Sequence, residues 1–210
     1  MSTQSTQYEL TGRTGQKQRT RAALVLAARD LVAAGVSPTV EEAASAAEIS
    51  RTTAYRYFPN QRALLVAAHP ETGASSMLSA DPPVDAPGRL TEVIREFTRV
   101  IVQTEAQQRT MLRLSLEATD EERAALPLRQ GRAIGWIEEA LAPLGDRLPE
   151  EAIHSLALAI RSAVGIEALA WMTDVAGLSR DDAAELMSWS AQAMLQAAAH
   201  GNPPPFPQVG

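Results

Sequence analysis

Residues 38–65 read PTVEEAASAAEISRTTAYRYFPNQRALL, a stretch that predicts two short helices joined by a tight turn and the start of a third. Thr39 can cap the first helix, and Glu42, three residues on, can reach back to the Thr39 backbone N–H, forming a capping box. Ala43, Ala44 and Ala47 give that helix a small, smooth face open to close approach by another helix. After the turn at Glu48 and Ile49, Ser50 caps a second helix over residues 51–58. This helix is too short and too polar to persist alone. It nevertheless carries Arg51, Thr52, Thr53, Tyr55, Arg56 and Tyr57, side chains suited to phosphates and base edges. Arg51 and Arg56 can donate bidentately to guanine, and the Thr52 methyl can meet a thymine methyl. Thr53, Tyr55 and Tyr57 suit phosphate clamping, although Tyr57 has an equal alternative in packing beside Phe58. Thr39 can add a phosphate contact to its cap.

The pattern T-V-E-E-A-A-x-A-A-x-I-S-x-x-T-x-Y-x-Y-F-x-N-x-x-A-L-L resembles the DNA-binding signature of the TetR family of helix-turn-helix transcriptional regulators. Here it is carried by Thr39, Val40, Ala43, Ala44, Ile49, Ser50, Thr53, Tyr55, Tyr57, Phe58, Asn60, Leu64 and Leu65. The resemblance implies an all-α fold of about nine helices. An N-terminal three-helix helix-turn-helix DNA-binding domain would precede a C-terminal helical domain that binds a ligand and dimerises. Two positions depart from the family pattern. Glu48 stands where members often have Gly, which implies a strained backbone or another turn geometry. Gln61 stands where many have a phosphate-binding Lys, so that contact is weaker or comes from Arg62.

Composition agrees with helices. Aromatic residues make up 4% of the 210 residues, and an Ala- and Leu-rich chain favours close-packed helices over sheets. With no cysteine, disulfides and thiolate metal sites are excluded. The net charge of −6 divides unevenly. Residues 1–69 hold eight basic and five acidic groups, net +3, and the remainder holds eleven and twenty, net −9. A basic head on an acidic body is what a chain needs when one end meets a polyanion. The N-terminus lacks a basic-then-apolar signal pattern, and apolar runs such as residues 22–28 fall short of the ~20 residues that cross a bilayer. A soluble, cytoplasmic protein with no membrane partner is expected.

The chain divides into a flexible N-terminal arm (residues 1–15), the helix-turn-helix domain (16–69), a linker rich in Pro, Ser, Gly and Asp (70–88), a helical body (89–200) and a Pro-rich disordered tail (201–210). Within the first domain, apolar spacing predicts a helix over 16–34 stopped by Gly35, and Asn60 caps a further helix to about Ala68. In the body, Leu90, Ile94, Phe97 and Ile101 form one stripe. Met111, Leu112, Leu114 and Leu116 mark a shorter helix, and 128–141 another bearing Trp136 and Ile137. Two longer helices close the chain. One starts near Glu150 and carries Ile153 through Trp171; the other is capped by Ser179, with Asp181 and Asp182 at its positive end.

The family resemblance places ligand binding and dimerisation in this body, where Phe97, Met111, Leu114, Trp136, His154 and Trp171 are the candidate pocket residues, with Arg132 and Arg161 as further polar handles. Ordinary core or surface is the competing reading for each. The effector would be a small, largely apolar molecule, and the small residues Ala157, Gly165, Ala168, Ala184, Ser188 and Ala191 suit close contact between the last two helices, through which the relatives dimerise. Arg13, Lys17, Arg19 and Arg21 can act as a basic arm or as a solvated tail. No cofactor, metal or catalytic role is expected: His69, His154 and His200 have no metal-ligand spacing, and the Gly12–Gly15 G-R-T-G follows no strand. The leading expectation is a homodimer that binds a pseudo-palindromic double-stranded operator and is released by its ligand. Alternatives are a transcriptional activator using the same motif, a helical protein-interaction module and an all-helical enzyme.

Overall fold

The structure, a computed structural model, describes residues 3–69, 74–121 and 131–205, with side chains from residue 15 onward. All regular structure among the described residues is helical, as the composition predicts. The chain forms two compact units, one of residues 1–71 with 106–127, the other of residues 72–105 with 128–210.

In the first unit, α1 (Thr3–Ala33) packs against α2 (Val40–Ala46), α3 (Arg51–Tyr57) and α4 (Gln61–Ala68). The helix begins at Thr3, so the arm expected over 1–15 is helical from that residue. The Ser/Thr/Gln-rich segment shows no apolar period, but it contains no proline to stop a helix. Gly35 ends α1 with φ +82°. The Val36 N–H bonds the Leu31 carbonyl and the Gly35 N–H that of Val32, both at 2.9 Å, the paired bonds of a Schellman motif. Leu24, Val25 and Ala28 of α1 meet Val40, Ala43 and Ala44 of α2, Ala54 of α3, Phe58, and Leu64 and Ala68 of α4 in one buried core. Arg29 reaches from α1 to donate to the Ala68 and His69 carbonyls at 2.8 and 3.3 Å, capping the end of α4.

Most of α6 (Glu105–Glu117) belongs to this unit and not to the body to which the sequence assigned it. Leu114 is buried with Val32 and Leu65. Arg62 donates to the Leu114 carbonyl at 3.0 Å, and Arg113 to the Ser37 hydroxyl at 3.3 Å. A stripe of two or three leucines specifies burial but not the partner, which is why the sequence misplaced this helix. Leu116, counted in that stripe, is 69% exposed.

The second unit contains α5 (Ala86–Gln103), α7 (Arg132–Leu141), a 3₁₀ turn (Ala142–Leu144), α8 (Glu150–Ala163), α9 (Ile166–Asp174) and α10 (Arg180–Ala199). Helix α5 starts at Ala86, three residues inside the expected linker, because the Asp85 carboxylate accepts from the Gly88 N–H at 2.8 Å and Pro87 tolerates an early helical position. Leu90, Ile94 and Ile101 are buried as predicted, joined by Val93 and Thr98. Ser179 caps α10, accepting from the Asp182 N–H at 3.1 Å. Part of the helix expected over 128–141 lies outside the described residues, as does the end of the tail; residues 201–205 are non-helical.

The long helix expected from Glu150 is instead two. Val164 is extended and Gly165 has φ +148°. An added Cβ at Gly165 would clash with the Arg161 Nη1, which donates to the Val164 carbonyl at 2.9 Å and pairs with Glu167. The segment Glu150–Asp174 has a mean hydropathy of 1.4 over an 18-residue window. It is therefore apolar and long enough to cross a bilayer by composition, contrary to the sequence reading of short apolar runs. Half of the window is buried within the protein, and the break divides it.

Candidate nucleic-acid interface

Helix α3 is held from both ends. The Ser50 hydroxyl accepts from the Thr53 N–H at 3.3 Å and donates to the Thr53 Oγ1 at 2.8 Å. Ala54 is fully buried and Phe58 nearly so, so the helix is fixed to the core by residues on one side. The opposite side carries Arg51, Thr52, Tyr55 and Arg56, all exposed, as residues i, i+1, i+4 and i+5 must be on one helical face. Thr53 and Tyr57 are half-buried. Tyr57 packs against the core beside Phe58, so of its two expected roles packing is the one the structure displays.

The turn before α3 accounts for the glycine departure. Glu48 adopts φ +55°, the one positive value at a non-glycine among the described residues. The Ile49 N–H bonds the Ala44 carbonyl at 2.9 Å and the Glu48 N–H that of Ser45 at 3.2 Å, another Schellman ending for α2. Of the two alternatives, Glu48 displays the strained backbone. At the start of α2 the capping box forms in full. The Thr39 N–H donates to the Glu42 carboxylate at 2.7 Å, and the Glu42 N–H to the Thr39 hydroxyl at 3.2 Å. The Thr39 hydroxyl also donates to that carboxylate at 2.9 Å. These bonds, the backbone one foremost, hold the Glu42 pKa below its ordinary 4.5.

Two sequence assignments need correction. The Gln61 side-chain amide donates to the Ser37 and Pro38 carbonyls at 3.0 and 3.2 Å. Its N–H groups tie α4 to the loop entering α2 and are not offered to a phosphate. Arg62, the proposed substitute, is turned toward the Leu114 carbonyl. By contrast Arg56 and Thr52 are exposed on α3. Lys17, Arg19 and Arg21 are exposed on α1, with Arg21 standing over the Phe58 ring at 5.4 Å.

A residue absent from the sequence candidates enters this face from α2. Glu41 Oε1 lies 2.7 Å from the Arg51 guanidinium and accepts from the Tyr55 hydroxyl at 3.2 Å. The Arg51 guanidinium also sits 5.7 Å from the Tyr55 ring centroid. The only sequence signal was an acid two residues after the Thr39 cap, which the helix dipole alone explains.

The six candidate pocket residues are divided between the two units. Phe97 and Trp136 meet in the second unit, whereas Met111 and Leu114 are buried in the first. His154 lies at the surface, with its Nδ1 2.5 Å from the Glu138 carboxylate, and Trp171 is 59% exposed. Arg161 stacks over Phe97 at 5.8 Å. A separate groove of about 420 Å³ is lined by Met77, Leu78, Glu92, Arg95, Glu96 and Arg99, none of them a sequence candidate. Of the small residues proposed for helix contact, Ala157 and Ala191 are fully buried within the unit, where α8 packs on α10. Exposed apolar residues near the C-terminal end include Trp171 on α9, Val175 just past its end, and Leu186 and Trp189 on α10.

No protein-family model matches the chain, and no curated protein does.

Proposed function

We propose that this chain is a homodimeric DNA-binding transcriptional regulator of the TetR type, a cytoplasmic repressor released from a pseudo-palindromic operator by a small, largely apolar effector. The observation that carries this reading is the outer face of α3. A seven-residue helix anchored by Ala54 presents Arg51, Thr52, Tyr55 and Arg56 together, a combination suited to both phosphates and base edges. The basic balance of the N-terminal residues supports the same partner.

Dimerisation is proposed because one such helix contacts too few base pairs for useful specificity. The exposed Trp171 on α9, Val175 just past its end, and Leu186 and Trp189 on α10 offer the apolar surface that self-association would cover. Two copies of α3 would then enter successive major grooves on the order of 34 Å apart. An effector that prefers another spacing lowers DNA affinity by its differential binding energy, typically ~1–3 kcal/mol. Thr98 favours an effector in the second unit, since its buried hydroxyl has no protein partner and a ligand can satisfy such a group.

Selection of bound fragments from a random duplex pool tests the reading. A two-fold symmetric site bound by two chains is expected, with Arg56→Ala losing about 1–3 kcal/mol and relaxing preference at one base pair. Monomeric complexes on sites lacking symmetry would overturn it.

A further inference from the structure

Glu41 places a carboxylate in the middle of a face otherwise built for a polyanion. Its neighbour Glu42 already completes the α2 cap, so Glu41 is not needed there. Its Oε1 instead crosses to α3 and engages Arg51 at 2.7 Å and the Tyr55 hydroxyl at 3.2 Å. These are two of the four exposed groups on that face. Arg51 is the first residue of α3, the positive end of the helix dipole, where a cation is disfavoured. A carboxylate from the preceding helix offsets that position and fixes the guanidinium over the Tyr55 ring.

We infer that Glu41 is a specificity-determining residue: it withholds Arg51 and Tyr55 from phosphates on arbitrary DNA, so that both are released only on a site whose other contacts favour seating of α3. This rests on the DNA-binding reading above. The physical basis is competition between anions. A phosphate oxygen must displace a carboxylate already in contact, and the displaced Glu41 is then left beside the DNA backbone unless it accepts from a base amine such as cytosine N4. A sequence-independent contact is therefore suppressed, while a seated complex can recover the loss. The Glu41 and Arg51 side chains are 46% and 71% exposed, so the pair is weak enough for DNA to open it.

The test is a titration of the full-length protein with a selected duplex and a random-sequence duplex across a range of salt. It compares the wild type with Glu41→Gln, Arg51→Ala and the double variant. Glu48→Gln serves as a control that removes the same charge from the exposed end of α2. Glu41→Gln is expected to tighten random-duplex binding about tenfold near 0.1 M salt and to steepen the salt slope by about 0.9 per subunit, one extra phosphate contact. The selected duplex should gain less, so the ratio between the two narrows. In the Arg51→Ala background the same substitution can act only through Tyr55, so its gain on the random duplex should be clearly smaller. The inference is overturned if Glu41→Gln tightens both duplexes equally, if it tightens the random duplex no more than Glu48→Gln does, if it weakens both, or if its effect is undiminished without Arg51. A wild type that binds no duplex at any salt overturns the DNA-binding reading itself. Binding without coupling between Glu41 and Arg51 removes the gate alone.

Discussion

The Phe97 and Trp136 rings meet edge to face, with centroids 5.9 Å apart and planes inclined by 66°. Both are candidate pocket residues of the second unit. What they form is packing: Trp136 is 7% exposed, and Phe97 supplies one wall of its environment while Arg161 covers the Phe97 face.

Phe97→Ala should therefore destabilise the second unit by about 3 kcal/mol, the low end for removing a large aromatic because Phe97 is only half-buried. Trp136 is the buried tryptophan, whereas Trp171 and Trp189 are 59% and 68% exposed. Opening its environment should shift native emission to the red. Denaturant unfolding followed by fluorescence reads both. A stable variant with unshifted emission would mean that Phe97 is not packing for Trp136.

Thr98 offers the opposite sign. Its Oγ1 is buried and unpartnered, so the hydroxyl loses hydration without gaining a bond. Thr98→Val keeps the β-branched shape and should stabilise by about 1 kcal/mol, measured as a higher denaturant midpoint at constant slope. Destabilisation would show that the hydroxyl has a partner in solution.

Legibility in the sequence followed the range of the interaction. Caps at Thr39, Ser50, Asn60 and Ser179 involve residues three apart, and each side chain accepts the N–H expected of it. Gly35 was equally legible because its signal is its own backbone. The placement of α6 was not, since Leu114 specifies burial without naming Val32 and Leu65 as partners. Nor was the break at Val164 and Gly165, where a glycine within an unbroken apolar pattern resembles one that merely permits close contact. In the α3 face, periodicity separates exposed Arg51, Thr52, Tyr55 and Arg56 from buried Ala54. Glu41 crosses between two helices, and neither helix's pattern contains that approach.

The Glu42 carboxylate makes a pH-dependent contribution whose sign follows from its capping bonds. Thr39 donates to the charged form from its N–H and hydroxyl, so the folded pKa lies below the ordinary 4.5. A group depressed on folding stabilises above its unfolded pKa, and that contribution is lost as pH falls through the folded value. Glu42→Gln retains an acceptor without the charge. The variant should be less stable than wild type at neutral pH, and the gap should close as pH drops below about 4.5. Added salt should narrow it too, because the carboxylate is exposed. Urea midpoints of both proteins down through the carboxylate range check this; a gap independent of pH would show that the charge contributes nothing.

Glu48 is strained, and the strain can be separated from its side chain. At φ +55° it occupies the left-handed region, which costs a residue bearing a Cβ roughly 1–2 kcal/mol. Glycine has no such penalty but loses more backbone freedom on folding, which offsets about 0.4–1 kcal/mol of the gain. Glu48→Gly should therefore stabilise the first unit by up to about 1 kcal/mol. Glu48→Ala removes the same carboxylate and keeps the Cβ, so it should leave stability nearly unchanged. Comparing the two urea midpoints isolates the backbone term from any effect of the lost charge. If alanine stabilises as much as glycine, the relief comes from removing an acid at the end of α2, where the helix dipole disfavours negative charge, and the positive φ is not where the energy lies.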